Sequence, residues 1–291
     1  EMLGDIEGAD ELIRAYRALS NNHLEGVEEA EEKYDWDLTE TPLRRVRAVV
    51  AHSWSVVLER HGRERDALTW AKRALVLSDQ VDPVLEVRAS LAVGRAMLAS
   101  GRTNEAQAYF ENSVELADQC GDSVGLARGL IRSATATIIA GNLSRADRSL
   151  IRAQRVATRE GLRMEEIHCR YLQAHVAFTI GRYDAVAGLC CEGLALSEVY
   201  GHETPRVSLY ALLYRAAIYG RSLAGIEARL EGLDGVPEQG LLRAEAAYFR
   251  GAYAEASERL AQEGISKTSL SSEWEGLFSP VFGRAGVDVL T

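Results

Sequence analysis

Six glycines, each behind an apolar stretch of helical composition, recur at Gly62, Gly101, Gly141, Gly181, Gly220 and Gly251, spaced 39, 40, 40, 39 and 31 residues apart. Five residues after them stand Ala67, Ala106, Ala146, Val186, Gly225 and Ala256. Twelve residues after the first five stand Ala74, Ser113, Ala153, Gly193 and Gly232. A recurrence of this length means that the chain is built from stacked copies of one small unit, each burying surface only against its neighbours. The small residues mark where two helix backbones approach closely: helix A before the glycine and helix B after it. The glycine suits a helix end that needs a left-handed residue.

Caps divide the chain in the same way. Thr41-Pro42, Asp82-Pro83 and Thr204-Pro205 each place an N-cap residue before an N1 proline, which predicts the start of an A helix. Gly121 and Gly161 fall where B helices are expected to stop. Only five prolines stand against 25 glycines, and Ala, Leu, Arg and Glu are abundant throughout, which favours helix over strand. The fold class expected is therefore all-α, a right-handed α-α superhelix of helical hairpins. Residues 42–263 form the repeats, well marked to about 200 and degenerate from 205. Residues 1–40 form an acidic hairpin or cap. Residues 264–291 form a closing helix and tail, in which Ser272 and Glu275 match a capping box.

The preceding residues carry a resemblance. The segment GRTNEAQAYFENSVELA resembles the second half of a tetratricopeptide repeat, GRYDAVAGLCCEGLAL resembles another, and Gly94 falls where that family has its helix A glycine. The departure is length, 39 to 40 residues against about 34. This longer unit is similar to the superhelical sensor domains of bacterial transcription activators, the maltose-responsive type among them, and of signal-transduction ATPases. The resemblance implies a domain of a bacterial regulatory protein whose A helices line a concave groove that binds a small inducer or a protein. The sequence holds no phosphate loop, dinucleotide fingerprint or HExxH motif, so no enzyme activity is expected, and a cytoplasmic setting is expected from the charge and cysteine pattern.

Counting the turn glycine as position 15, positions 2, 5 and 9 of helix A face that groove in the family. Position 6 adds Arg132. The candidate ligand-binding residues are Arg88, Arg95, Arg128, Arg132, His168, Tyr171, His175, Tyr210 and Tyr214. Stacked helices align fork-shaped guanidinium donors with flat polar rings, the chemistry that recognises a carboxylate- or phosphate-bearing ligand. The expected partner is an anionic peptide, protein or small molecule. Arg128 and Arg132 also fall where chaperone-binding repeats carry a basic pair, but the asparagines and lysine of that clamp are missing. The competing reading of the same residues is a stand-alone assembly scaffold that uses its acidic end or convex face. A more distant one is an enzyme on helical repeats.

Charge narrows the partners. Residues 1–40 hold 13 acids against three bases, which by itself accounts for the formal net charge of -10. The remainder is neutral overall, so the basic surplus of a nucleic-acid binder is missing and no direct nucleic-acid contact is expected. The acidic start lacks the pattern of a secretory signal, and nowhere do 18 apolar residues run together, so a non-exported protein with no membrane contact is expected. A glutamate precedes Met2, consistent with a piece of a longer protein. Cys120, Cys169, Cys190 and Cys191 form no CxxC pair, and all four are expected to pack as small apolar groups in a reducing compartment. His168 and His175 share a helical face near Cys190 and Cys191, yet a metal site needs four converging ligands, so neither metal nor cofactor is expected.

Overall fold

The computed structural model describes residues 44–200, 203–220 and 252–262, together with Ala244 and Ala247. The expected N-terminal hairpin (1–40), the Thr41-Pro42 cap and the closing helix (264–291) lie outside the described residues. Among those described, the regular structure is helical, with no strand. The helices are α1 (Arg44–Arg60), α2 (Glu64–Ser78), α3 (Pro83–Ala99), α4 (Thr103–Cys120), α5 (Ser123–Ile139), α6 (Leu143–Glu160), α7 (Arg163–Thr179), α8 (Tyr183–Tyr200), α9 (Glu203–Tyr219) and α10 (Tyr253–Gln262). The fold is the all-α, tetratricopeptide-like class of successive helical hairpins that the recurrence predicts. The chain divides into two compact units, 1–169 and 170–291, with the boundary inside α7. No helix of the described residues is long and apolar enough to cross a membrane.

The recurring glycines act through backbone geometry. Gly62, Gly101, Gly141 and Gly181 all have φ between 72 and 79°, a left-handed conformation that glycine adopts without strain. At each, two hydrogen bonds close the preceding helix in the same pattern. For example, the Gly101 N–H donates to Leu98 O at 3.0 Å and the Arg102 N–H to Met97 O at 2.9 Å. This paired closure satisfies carbonyls that the helix end would otherwise leave open. Helix B then begins two residues after the glycine, at Glu64, Thr103, Leu143 and Tyr183. Gly121 and Gly161 end α4 and α6 with the same handedness.

Gly220 departs from this pattern. Its backbone is not left-handed, and a Cβ there would lie 2.8 Å from Ala216 O and 3.2 Å from Tyr183 Cβ, so it is glycine for want of space. The cap reading holds at Asp82, which precedes Pro83 and whose carboxylate accepts from the Val84 and Leu85 N–H groups. It does not hold at Thr204-Pro205. Helix α9 already begins at Glu203, so both residues fall within its first turn.

Small residues sit where backbones meet. Ala106, Ala146, Val186 and Ala256 are fully buried, Ala67 is 2% exposed, and Ala74, Ser113 and Ala153 are fully buried. Gly94 on α3 lies under the Phe110 ring of α4, where an added Cβ would come within 2.4 Å of Cε1. Gly129 on α5 faces Ser113 and Val114 of α4, so the same device serves the contact between hairpins. In the first hairpin, Trp54 and Trp70 fill the space edge to face, with centroids 4.4 Å apart and both rings buried.

Within the first unit each A helix touches the next A helix, α1 with α3 and α3 with α5, while α2, α4 and α6 make no comparable contacts with one another. Hairpins that approach more closely on one side curve toward it, so the A helices form the inner wall of this unit. The cysteines divide. Cys169 and Cys190 are buried, Cys120 is half-buried, and Cys191 is exposed, which corrects the expectation that all four pack as apolar groups. Position on α8 is the reason, since two adjacent residues of a helix point about 100° apart. Burial and the neighbouring Cys191 push the Cys190 thiol up to about 12, so it stays protonated.

Replacing the fully buried Ala106 with leucine is expected to overpack the α3–α4 contact and cost about 1–3 kcal/mol, read as a lower midpoint in urea unfolding. An Ala106→Leu protein as stable as the parent would contradict the register.

Candidate ligand-binding wall

Four successive A helices each bring charged or imidazole side chains to the inner wall of the first unit. Helix α1 contributes His52 and Glu59, α3 contributes Arg88 and Arg95, α5 contributes Arg128 and Arg132, and the first turns of α7 contribute Glu165 and His168. Their mutual influence shows the proximity. Arg95 and Arg88 act on His52, Arg95, Glu59 and Arg128 act on Arg132, and Arg132, Glu165 and Arg128 act on His168.

The four candidate arginines do not form an unopposed patch. Arg95 pairs with Glu59 across α3 and α1 at 2.8 Å, and Arg128 pairs with Glu165 across α5 and α7 at 2.7 Å. Each pair staples neighbouring hairpins. Glu165 is 7% exposed, so its carboxylate depends on Arg128 for compensation. Arg88 and Arg132 differ, for neither has a hydrogen bond or salt bridge within the described residues. Arg88 is exposed and Arg132 is half-buried. Burial is the main cause that lowers the Arg132 pKa, reinforced by Arg95 and Arg128 and opposed by Glu59. A guanidinium remains charged through such a shift. The wall therefore keeps a desolvated cation with no partner of its own.

The histidines beside it are neutral. His52 is pushed down to about 4, first by burial and then by Arg95 and Arg88. Burial also lowers His168, helped by Arg132 and Arg128 and opposed by Glu165. Each offers a ring nitrogen as an acceptor or an uncharged donor next to the arginines. Leu91 and Ile131, at position 5 by the same count, are 8% and 6% exposed and pack between A helices.

Tyr171, His175, Tyr210 and Tyr214 belong to the second unit. Tyr171 and His175 lie edge to face at 6.4 Å, and both are half-buried, as is Tyr210. Tyr214 is 3% exposed. Its ring is therefore buried where the count by position places it toward a groove. A separate aromatic group, Phe178, Tyr183 and Tyr219, joins α7, α8 and α9, with Tyr183 and Tyr219 stacked at 6.2 Å. Among the described residues no group of three His, Cys, Asp or Glu side chains is placed to hold a metal ion.

Two members of the wall escape a count by positions 2, 5 and 9: Glu59 and Glu165. A signal existed for both. Three residues before the turn glycine, the other repeats carry Leu98, Ile138, Phe178 and Ala217, and Glu59 breaks that apolar column. Sixteen before it the other four carry Val46, Leu85, Gly125 and Thr204, all uncharged, and Glu165 is the one acid in that column. An acid in an apolar column of a repeat calls for a cation across the contact.

No family model matches the sequence, and no curated protein matches it. Solved structures do match the fold. A tetratricopeptide repeat protein from Parabacteroides merdae is 15% identical with a TM-score of 0.68, covering 95% of this chain and 99% of that one. Aspartyl phosphate phosphatase F from Bacillus subtilis is 14% identical with a TM-score of 0.62, covering 87% and 68%. A Rap protein complexed with competence and sporulation factor is 13% identical with a TM-score of 0.60, covering 94% and 70%. At these identities the likeness establishes the tetratricopeptide-like fold.

Arg128→Ala is expected to destabilise the protein by about 1–3 kcal/mol, because it leaves the Glu165 carboxylate buried without its cation, whereas Arg88→Ala changes stability by less than about 0.5 kcal/mol. Equal urea midpoints for the two variants would contradict the asymmetry. Stability also depends on His52. Its folded pKa is depressed, so the unfolded chain binds more protons in the interval between about 4 and the ordinary histidine value. Its contribution is present above that interval and is lost as pH falls through it, at most about 3 kcal/mol. His52→Gln is therefore expected to flatten the fall in unfolding free energy between about pH 6.5 and 4.5, and an unchanged slope would exclude this origin.

Proposed function

We propose that this chain is the ligand- or partner-binding part of a regulatory protein and holds an anionic peptide or small molecule on the inner wall of its first unit, acting by binding and not by catalysis. The observation that carries the reading is Arg132: a desolvated guanidinium between Arg95 and Arg128, with its neighbouring arginines engaged by Glu59 and Glu165. An anion placed there relieves the repulsion among three guanidinium groups and supplies charge-assisted hydrogen bonds. His52 and His168, neutral at the ends of the row, add directional contacts without adding charge.

The fold supports the regulatory context. A Rap protein with the same architecture has been solved with competence and sporulation factor bound, and long repeats of this kind resemble those of bacterial sensor domains. The bacterial and cytoplasmic setting belongs to this proposal. A phosphatase shares the architecture too, so activity assays belong beside binding assays. The scaffold reading keeps one supporting observation, the acidic N-terminal 40 residues.

Thermal-shift screening of acidic peptides and of carboxylate- and phosphate-bearing compounds tests the proposal. Compounds that stabilise the protein are expected to lose about 3 kcal/mol of binding free energy in the Arg88→Gln, Arg132→Gln double variant and to bind more weakly at high salt. A control with Arg148→Gln and Arg155→Gln, exposed on α6, is expected to bind as the parent does. Equal losses in the two variants would favour the scaffold reading.

A further inference from the structure

The charges already closed on the inner wall limit what it accepts. Four arginines face two glutamates there, and the pairs Arg95–Glu59 and Arg128–Glu165 are formed at 2.8 and 2.7 Å. Two positive charges remain, on Arg88 and Arg132. Resting on the binding role proposed above, we infer that the ligand is short and carries at most two carboxylates, one bound end-on by Arg132 and the second by Arg88, in place of an extended acidic tract.

Three features lead to this limit. The Arg132 side chain is half-buried on α5, so the group that meets it must shed water and fit a planar fork, as a carboxylate does in two parallel hydrogen bonds. Arg88 stands at position 2 of α3 and Arg132 at position 6 of α5. That is about 6 Å along the helix axis and about 8–10 Å across adjacent helices, or about 10–12 Å in all. The C-terminal carboxylate and one acidic side chain of a tri- or tetrapeptide span that distance. Any third carboxylate meets an arginine already engaged, and to recruit Arg128 it would strip the cation from buried Glu165. Additional charge therefore brings repulsion from Glu59 and Glu165 instead of new pairs.

The experiment titrates the whole chain with four probes followed by calorimetry and amide NMR. They are an N-acetylated tetrapeptide alanine-glutamate-alanine-tyrosine with a free C-terminal carboxylate, its C-terminal amide, the amide with glutamine in place of glutamate, and hexaglutamate. The two-carboxylate peptide is expected to bind about tenfold tighter than the amide, and the amide tighter than the uncharged peptide. Arg132→Gln is expected to remove the gain from the C-terminal carboxylate, and Arg88→Gln the gain from the glutamate. Hexaglutamate is expected to bind no more than about threefold tighter than the two-carboxylate peptide, the advantage of having several equivalent registers. Hexaglutamate binding tenfold tighter or more, with the loss still at Arg88 and Arg132, overturns the two-charge limit and leaves the binding role intact. Failure of all four probes at millimolar concentration, or binding untouched by both substitutions, overturns the binding role itself.

Discussion

Everything in this molecule depends on the close contact between helix A and helix B of one hairpin. Two helices joined by a three-residue turn must reverse direction at once, and the left-handed glycine with its paired hydrogen bonds achieves that reversal at Gly62, Gly101, Gly141 and Gly181. Once the turn is set, the two backbones run side by side, and only small residues or a glycine opposite a ring let them close. Ala106 and the Gly94–Phe110 contact are the clearest instance. Packing of this kind defines one geometry per hairpin, and stacking copies of that geometry produces the solenoid.

The stacking explains why charge gathers on one side. Because the A helices of the first unit approach one another while the B helices stand further apart, side chains from four hairpins converge on the inner wall. Guanidinium groups brought together in this way repel, and the chain responds in two ways. Glu59 and Glu165 neutralise two of the arginines across hairpin boundaries, and burial keeps His52 and His168 uncharged. What remains is a small, defined deficit of negative charge at Arg132 and Arg88. The outer side is handled differently, with exposed pairs such as Arg152–Asp118 at 3.2 Å and Arg145–Glu111 linking α6 to α4. Exposed pairs of this sort contribute little to stability.

Within the described residues, the recurrence of glycine and alanine determined, without any structure, that the fold is helical, that turns fall at Gly62, Gly101, Gly141 and Gly181 with left-handed backbone, and that Ala67, Ala106, Ala146 and Ala153 are buried. These are consequences of local geometry, and local geometry is written in neighbouring residues. Gly220 and Thr204-Pro205 show the limit of that rule, because the same residue types serve a lack of space in one case and the interior of a first turn in the other. The positions of Arg88, Arg95, Arg128, Arg132 and His168 on helix A followed from the family resemblance, whereas Glu59 and Glu165 fall outside that count. Their partners were decided only by the tertiary structure. Glu59 lies 36 residues from Arg95 and Glu165 lies 37 from Arg128, and whether such groups meet depends on the rise and rotation between hairpins. The same holds for the burial of Tyr214 and for Cys191, exposed beside a buried twin. Periodicity places a side chain on a face of its own helix; what stands opposite that face is set by packing across the chain, and there the charge balance of the wall is decided.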